Sequence, residues 1–235
     1  DCALWDLEAK KSRTTAAALA GLEPLRPLVT AFTLSLGAPD EMERAALAVA
    51  DRPLLKVKLG GAGDPERVAA VRRGAPKARL IADANEAWSA DTFAENMAAC
   101  LAAEVELIAQ PLPAGADDLL EGISRPVPVC ADESLHIGDD LAALRGRYDA
   151  VNVKLDKAGG LTEALDLVDR AILAGFDVMV GCMVGSSLAM APAILAAQKA
   201  RFVDLDGPLL LAEDRVPGLS YTGSLVMPPE PALWG

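Results

Sequence analysis

The stretch LLKVKLGG, Leu54–Gly61, decides the fold. Two lysines stand two residues apart in a run of aliphatics that is short and apolar enough for a buried strand. Buried lysine is strongly disfavoured unless something compensates it. Strand parity sorts the run: Leu55, Val57 and Leu59 share one face, and Lys56 and Lys58 share the other. The aliphatic face needs a layer of helices to cover it. The lysine face must then look into the interior of a closed sheet, near the strand's C-terminal end.

Short apolar runs and helical patterns alternate along almost the whole chain. Strands are expected at LVTAFTLSL (28–36), LLKVKL (54–59), RLIADA (79–84), VELIA (105–109), VPVCAD (127–132), AVNVKL (150–155), FDVMVGC (176–182) and FVDLD (202–206). Helical patterns lie between them, at 65–73, 90–103, 161–174 and 188–200, with Asp64 and Ser89 placed as N-caps. Lys58, Asp83, Ala109, Asp132 and Lys154 succeed one another at steps of 25, 26, 23 and 22 residues, one strand–helix unit each. Eight strands predict an α/β fold of the (β/α)8 type, a modified TIM barrel. An open doubly wound sheet is disfavoured, because no Gly-x-Gly-x-x-Gly follows the first strand. Residues 1–27 read as a helix and linker leading in, and 28–235 as the barrel with its C-terminal closing segment.

Composition narrows the function. The 235 residues are 52% apolar with a positive mean hydropathy, enough to bury a large core. A net charge of −12 without a basic run argues against nucleic acid and against an anionic membrane surface. No apolar stretch approaches the roughly 20 residues of a membrane span. Cys2, Cys100, Cys130 and Cys182 stand far apart without C-x-x-C spacing, which reads as reduced thiols in a cytoplasmic protein. The chain opens on an amphipathic pattern, DCALWDLEAKK, without an initiator methionine, so a further N-terminal part is expected ahead of it. Trp88 reads as a packing residue and the lone His136 as a surface one.

The lysine face has counterparts on other strands. Asn152, Lys154 and Asp156 alternate with Val151, Val153 and Leu155; Asp83 shares a face with Asn85, and Asp204 with Asp206; Asp132 closes its strand. One charge at a strand end is a commonplace of solvated loops. Five strands ending in inward charge make a polar mouth at the C-terminal side of a barrel, where such folds carry their chemistry. Carboxylates converging from different strands suit a hard cation such as Mg²⁺. Lysines crowded beside a cation hold protons less tightly, and one can act as a base near neutral pH. Lys58 and Lys154, from the second and sixth strands, fall on opposite sides of an eight-stranded ring. A carbon held between them could lose a proton to one and regain it from the other, with the metal stabilising the enolate. That is racemisation or epimerisation next to a carboxylate.

The segments ALWDLEAK, KVKLGG, IADANEAWS, QPLP, ADES, VNVKLDKAGGL, GCMVGSS and VDLDGPLLL together resemble the enolase superfamily in its muconate-lactonising branch. The resemblance covers nearly the whole chain and is strongest to the dipeptide epimerases of the L-Ala-D/L-Glu type. A lysine base beside Mg²⁺ is that superfamily's general pattern. The resemblance implies that Lys58 and Lys154 are the acid/base pair, that Lys56 tunes Lys58, and that Asp83 and Asp132 are Mg²⁺ ligands. It implies that Asp204 and Asp206 form the Asp-x-Asp element that receives a dipeptide's α-ammonium group. Cys182 and Met183 would line the pocket, with Asn85, Glu133 and Asp156 in support. It also implies an N-terminal α+β capping domain lying outside this chain, and a cytoplasmic role in cell-wall peptide metabolism on a small-molecule dipeptide. Homo-oligomerisation is left open.

One departure stands out. Family members carry Glu-Gln-Pro after the fourth strand, the acid being the middle metal ligand, and this chain has Ala109-Gln110-Pro111. Parity turns Glu106 toward the helices, so it cannot take that place. Three readings stay open: a Mg²⁺-dependent dipeptide epimerase; a sister reaction on the same barrel; or a catalytically weakened binding barrel, which Ala109 favours. The sister reactions are N-acylamino-acid racemisation, cycloisomerisation and dehydration of the o-succinylbenzoate type, and the Asp204–Asp206 pair argues against them.

Overall fold

The computed structural model describes residues 1–136 and 141–235. Eight parallel strands follow one another in chain order in one sheet. They are β1 (Phe32–Leu34), β2 (Leu54–Lys58), β3 (Arg79–Asp83), β4 (Val105–Ala109), β5 (Val129–Ala131), β6 (Ala150–Val153), β7 (Asp177–Val180) and β8 (Phe202–Val203). The chain divides into two units, one of Ala31–Asn152 and one of Asp1–Thr30 with Val153–Gly235. Among the described residues no helix is long and apolar enough to cross a membrane.

The Ala31–Asn152 unit holds β1 to β5 and the first three residues of β6. Its strands are in register along one line, Lys58 beside Asp83, Asp83 beside Ala109, Ala109 beside Cys130 and Cys130 beside Ala150. Leu54, Leu55 and Val57 are buried, and full burial of such side chains stabilises by about 1.5–3 kcal/mol each. On the helix side, the apolar faces are Val68 and Val71 on Asp64–Gly74 and Phe93 and Met97 on Ala90–Ala102. The first of these helices starts with Pro65 and Glu66 and ends with Arg72 and Arg73, the charge order that its dipole favours.

The turn after Lys58 is fixed by Asp64. That residue was expected to cap the helix, but it is the first helical residue, with Gly63 at the cap. Its carboxylate instead accepts the Gly60 and Gly61 amides at 2.9 and 2.8 Å and the Trp88 indole N–H at 2.9 Å. Gly61 has φ +94°, and a Cβ there would lie 2.9 Å from the Ala87 carbonyl oxygen, so only glycine fits.

The second unit contains Val153, β7 and β8. Its core includes Ala9, Ala16, Ala17, Leu161, Ala191, Leu195, Leu233 and Trp234. A small antiparallel sheet joins Leu28–Val29 to Leu225–Val226 and the latter to Tyr221–Thr222.

Three strand expectations need correcting. The run 202–206 stops at Val203, so strand parity does not reach Asp204 and Asp206. The run 28–36 is not one strand: Leu28–Val29 pairs in the small antiparallel sheet, and only Phe32–Leu34 joins the parallel one. The chain changes partners at Thr30, whose N–H bonds Ser224 O at 2.9 Å and whose Oγ1 accepts the Leu205 amide at 2.8 Å. The run 150–155 stops at Val153. The Lys154 carbonyl already accepts the amides of Lys157 and Ala158, at 3.0 and 2.8 Å, opening the four-residue helix Leu155–Ala158. Parity therefore ends there, and Asp156 is exposed on that helix instead of facing inward.

Candidate active site

At the C-terminal ends of β2 and β3 the two lysines meet one carboxylate. Lys58 Nζ lies 2.8 Å and Lys56 Nζ 3.1 Å from the same oxygen, Asp83 Oδ2. Lys56 and Asp83 are buried, whereas the Lys58 side chain is 32% exposed. Burial pushes the Asp83 carboxyl up, but the charges of Lys56 and Lys58 outweigh it and hold the group below the ordinary carboxylate range. This is the compensation that two lysines in an apolar strand require.

Asn85 extends the cluster. It follows β3 with φ +43°, its amide N–H reaching Asp83 Oδ1 at 3.2 Å. Its Oδ1 accepts from Lys58 Nζ at 2.8 Å, and its Nδ2 donates to Glu133 Oε1 at 3.2 Å. Glu133 is thus connected to Lys58 through Asn85. On the neighbouring strands, Asn152 Nδ2 donates to Asp132 Oδ2 at 2.8 Å, both residues being buried. Ala109, on the register line between Asp83 and Cys130, brings only a methyl group. Glu106 pairs with Arg79 through two hydrogen bonds of 2.9 and 2.7 Å and cannot replace the absent acid.

The donor set is that of a hard cation. Among the described residues no three His, Cys, Asp or Glu side chains group as a metal cage. Two carboxylates are nevertheless present, Asp83 and Asp132. Two further oxygens in the same unit, Asn152 Oδ1 and Glu133 Oε2, are buried without a hydrogen-bond partner. Buried acceptors with no donor are what a cation or water satisfies. The residues fit Mg²⁺, with two carboxylates in place of three.

The second unit carries the remaining candidates. Lys154 lies one residue beyond β6 and is 8% exposed. Asp204 and Asp206 follow β8 and are both buried. Leu205 between them is anchored on both sides: its N–H bonds Thr30 Oγ1, and its carbonyl accepts the Tyr221 hydroxyl, each at 2.8 Å. Cys182 is half-buried and Met183 exposed in the loop after β7. His136 is exposed, and Trp88 is buried.

Sequence reasoning passed over the residues that hold the charges. Asn152 was placed on the inward face without a role, yet it grips Asp132. Thr30 and Tyr221 carry no recognisable pattern. Gln110 stands in the QPLP segment, whose position right after a strand end was the available signal.

Residues 41–217 match the model of a family described as enolase C-terminal domain-like. An N-acetyl-D-glutamate racemase from Pseudoalteromonas sp is 48% identical over 100% of this chain and 74% of its own length. The L-Ala-D/L-Glu epimerase of Escherichia coli (strain K12) is 45% identical over 94% of this chain and 70% of its own. Among solved structures, an enolase family member from Agrobacterium tumefaciens with homology to dipeptide epimerases, holding sodium and L-Ala-L-Glu, has a TM-score of 0.98 at 57% identity, over 100% of this chain and 72% of that one. A dipeptide epimerase from Methylococcus capsulatus, complexed with Mg and L-Arg-D-Lys, has a TM-score of 0.87 at 31% identity, over 98% of this chain and 69% of that one. The (β/α)8 class expected from the spacing of the strands is the fold of this chain.

Proposed function

This chain belongs to the enolase C-terminal domain-like family, and from that premise we propose that it is an isomerase inverting the α-carbon of an N-acylated glutamate, with L-Ala-Glu as its substrate. The names of the 48% and 45% identical relatives share that chemistry: glutamate whose nitrogen carries an acetyl group in one and an L-alanyl group in the other. The observation that carries the reading is Lys58, held at the end of β2 by Asp83 and Asn85, with its ammonium group accessible and Lys56 buried behind it.

Inverting a carbon next to a carboxylate needs a proton acceptor on one face and a donor on the other. Lys58 takes the α-proton from one face and Lys154 returns a proton to the opposite one; the reverse reaction exchanges their roles. Asp83 and Asn85 accept two hydrogen bonds from Lys58 Nζ, so that as the neutral amine it keeps its lone pair aimed away from them for the α-proton. Asp83 and Asp132 would hold Mg²⁺, which when bound supplies positive charge for the substrate carboxylate as the α-carbon loses its proton. Asp204 and Asp206 receive the ammonium group of the L-alanyl residue.

N-Acetylglutamate lacks that ammonium group, and the buried aspartate pair therefore favours the dipeptide. Racemisation of N-acetylglutamate is the second reading, supported by the 48% identical relative. Selection of the side chain is assigned to the α+β capping domain implied by the resemblance. The four free cysteines suit a reducing compartment such as the cytoplasm.

The test is incubation with L-Ala-L-Glu and with N-acetyl-L-glutamate in D₂O, followed by NMR. The parent protein should exchange the glutamate α-proton and form both stereoisomers, faster for the dipeptide. Lys58→Ala and Lys154→Ala should each abolish epimerisation, one of them still exchanging deuterium into a single stereoisomer. Epimerisation by either variant at the parent rate refutes the two-lysine assignment, and a faster reaction of N-acetylglutamate selects the second reading.

A further inference from the structure

Gln110 lies immediately beyond β4, fully buried, with φ +36°. A left-handed backbone is costly for a residue with a side chain and persists only where the surroundings enforce it. Here they do. Its N–H bonds Cys130 O at 2.9 Å, and its carbonyl accepts the Glu86 amide at 2.8 Å. The side-chain amide is saturated as well. Oε1 accepts the backbone N–H of Asp132 at 2.9 Å and of Ser134 at 3.0 Å. Nε2, with two hydrogens to give, has three acceptors within reach, Leu112 O at 2.8 Å, Ser134 Oγ at 2.8 Å and Tyr148 OH at 2.9 Å. One residue thus ties together the loops after β3, β4 and β5.

An amide can be turned end for end, so something must fix which end faces Asp132. The Leu112 carbonyl at Nε2 and the two backbone N–H donors at Oε1 fix it, and an ion pair on a buried carboxylate reinforces it. Asp117 Oδ2 receives the Ser134 hydroxyl at 2.6 Å and the Tyr148 hydroxyl at 2.5 Å, and Asp117 Oδ1 pairs with Arg147 at 2.6 Å. An ionised carboxylate only accepts. Both hydroxyl hydrogens point at Asp117, which leaves the two hydroxyl oxygens as acceptors for the Gln110 NH₂ group. Its carbonyl end must then face the amides of Asp132 and Ser134. Reversed, the NH₂ would confront two N–H donors. Burial pushes the Asp117 carboxyl up, but the two hydroxyl bonds and Arg147 hold it below the ordinary range, which keeps this acceptor charged.

We propose that Gln110 is a positioning residue that holds the Asp132–Ser134 segment in its working conformation, and that the Asp117–Arg147 pair steadies its amide through the two hydroxyls. Gln110 has no free donor or acceptor for substrate and acts through Asp132 and Glu133, whose roles rest on the function proposed above.

Asp117→Leu tests this, because it keeps the bulk and removes both acceptor oxygens. The expected result is at least tenfold faster hydrogen–deuterium exchange at the Asp132 and Ser134 amides, with exchange at Val57 in β2 unchanged. Should that variant fail to fold, Tyr148→Phe removes one arm of the relay and should speed exchange at both amides at least threefold. Exchange needs neither substrate nor activity, so it decides the relay even where the proposed function fails; parent-like exchange at both amides overturns it. In the dipeptide assay the same variant should lose at least tenfold in kcat with KM within twofold of the parent. Faster exchange with an unchanged kcat would make Gln110 a structural tie only and overturn the positioning role.

Discussion

Asp83, in one unit, and the Asp204–Asp206 pair, in the other, are positioned by different means. Asp83 is held through its own charge, with two lysine ammonium groups on one carboxylate oxygen. The aspartate pair is placed through the residue between its members, since Leu205 is fixed at both its amide and its carbonyl by Thr30 and Tyr221. A charge held by charges cannot be neutralised without stranding its partners. At the end of β8 the Leu205 anchors do not involve the aspartate carboxylates and outlast the loss of one charge. The ends of β2 and β3 are therefore brittle, whereas the backbone at the end of β8 keeps its anchors.

The largest effect should come from breaking the first arrangement. Asp83→Asn removes the carboxylate that the buried Lys56 meets at 3.1 Å, and removing one member of a buried ion pair costs about 3–5 kcal/mol. Lys58 contributes less, because its side chain is 32% exposed and can turn to water. Thermal or urea unfolding reads this directly. A parent-like midpoint would mean that the lysines find other compensation.

Asp204→Asn should behave in the opposite way, with a nearly unchanged unfolding midpoint and a loss confined to recognition. A charge-assisted hydrogen bond is worth about 1.5–3 kcal/mol, and that should appear in kcat/KM for L-Ala-Glu but hardly for N-acetylglutamate. Equal losses on both substrates, or a large drop in stability, would remove the contrast between the two sites.

The smallest effect sharpens the comparison at β4. Ala109→Glu adds a carboxylate on the register line between Asp83 and Cys130. Mg²⁺ prefers six oxygens and keeps waters where protein ligands are lacking. The added ligand should tighten Mg²⁺ by roughly tenfold, about 1.4 kcal/mol, and raise turnover with it. Isothermal titration beside the dipeptide assay measures both. A parent that already binds Mg²⁺ tightly and gains nothing from the glutamate would show that another oxygen fills the gap, Asn152 Oδ1 being the nearest candidate by chemistry.

Much of this molecule is legible without coordinates, because a strand's side chains alternate with period two whatever surrounds them. The pattern alone separates Lys56 and Lys58 from Leu55 and Val57, puts Glu106 on the outer face, and spaces Lys58, Asp83, Ala109, Asp132 and Lys154 as successive strand ends. What it cannot give is where a strand stops, since that depends on which hydrogen-bond partner the backbone finds. Thr30 leaves one sheet for another because Ser224 and Leu205 are there to receive it. Asp156 leaves the inward face because the Lys154 carbonyl has already begun a helix. The residues that aim the site are hidden for the same reason. Gln110, Asp117 and Tyr148 are ordinary polar side chains with no recognisable spacing, and only folding directs the hydroxyls to one carboxylate and brings an amide oxygen to Asp132.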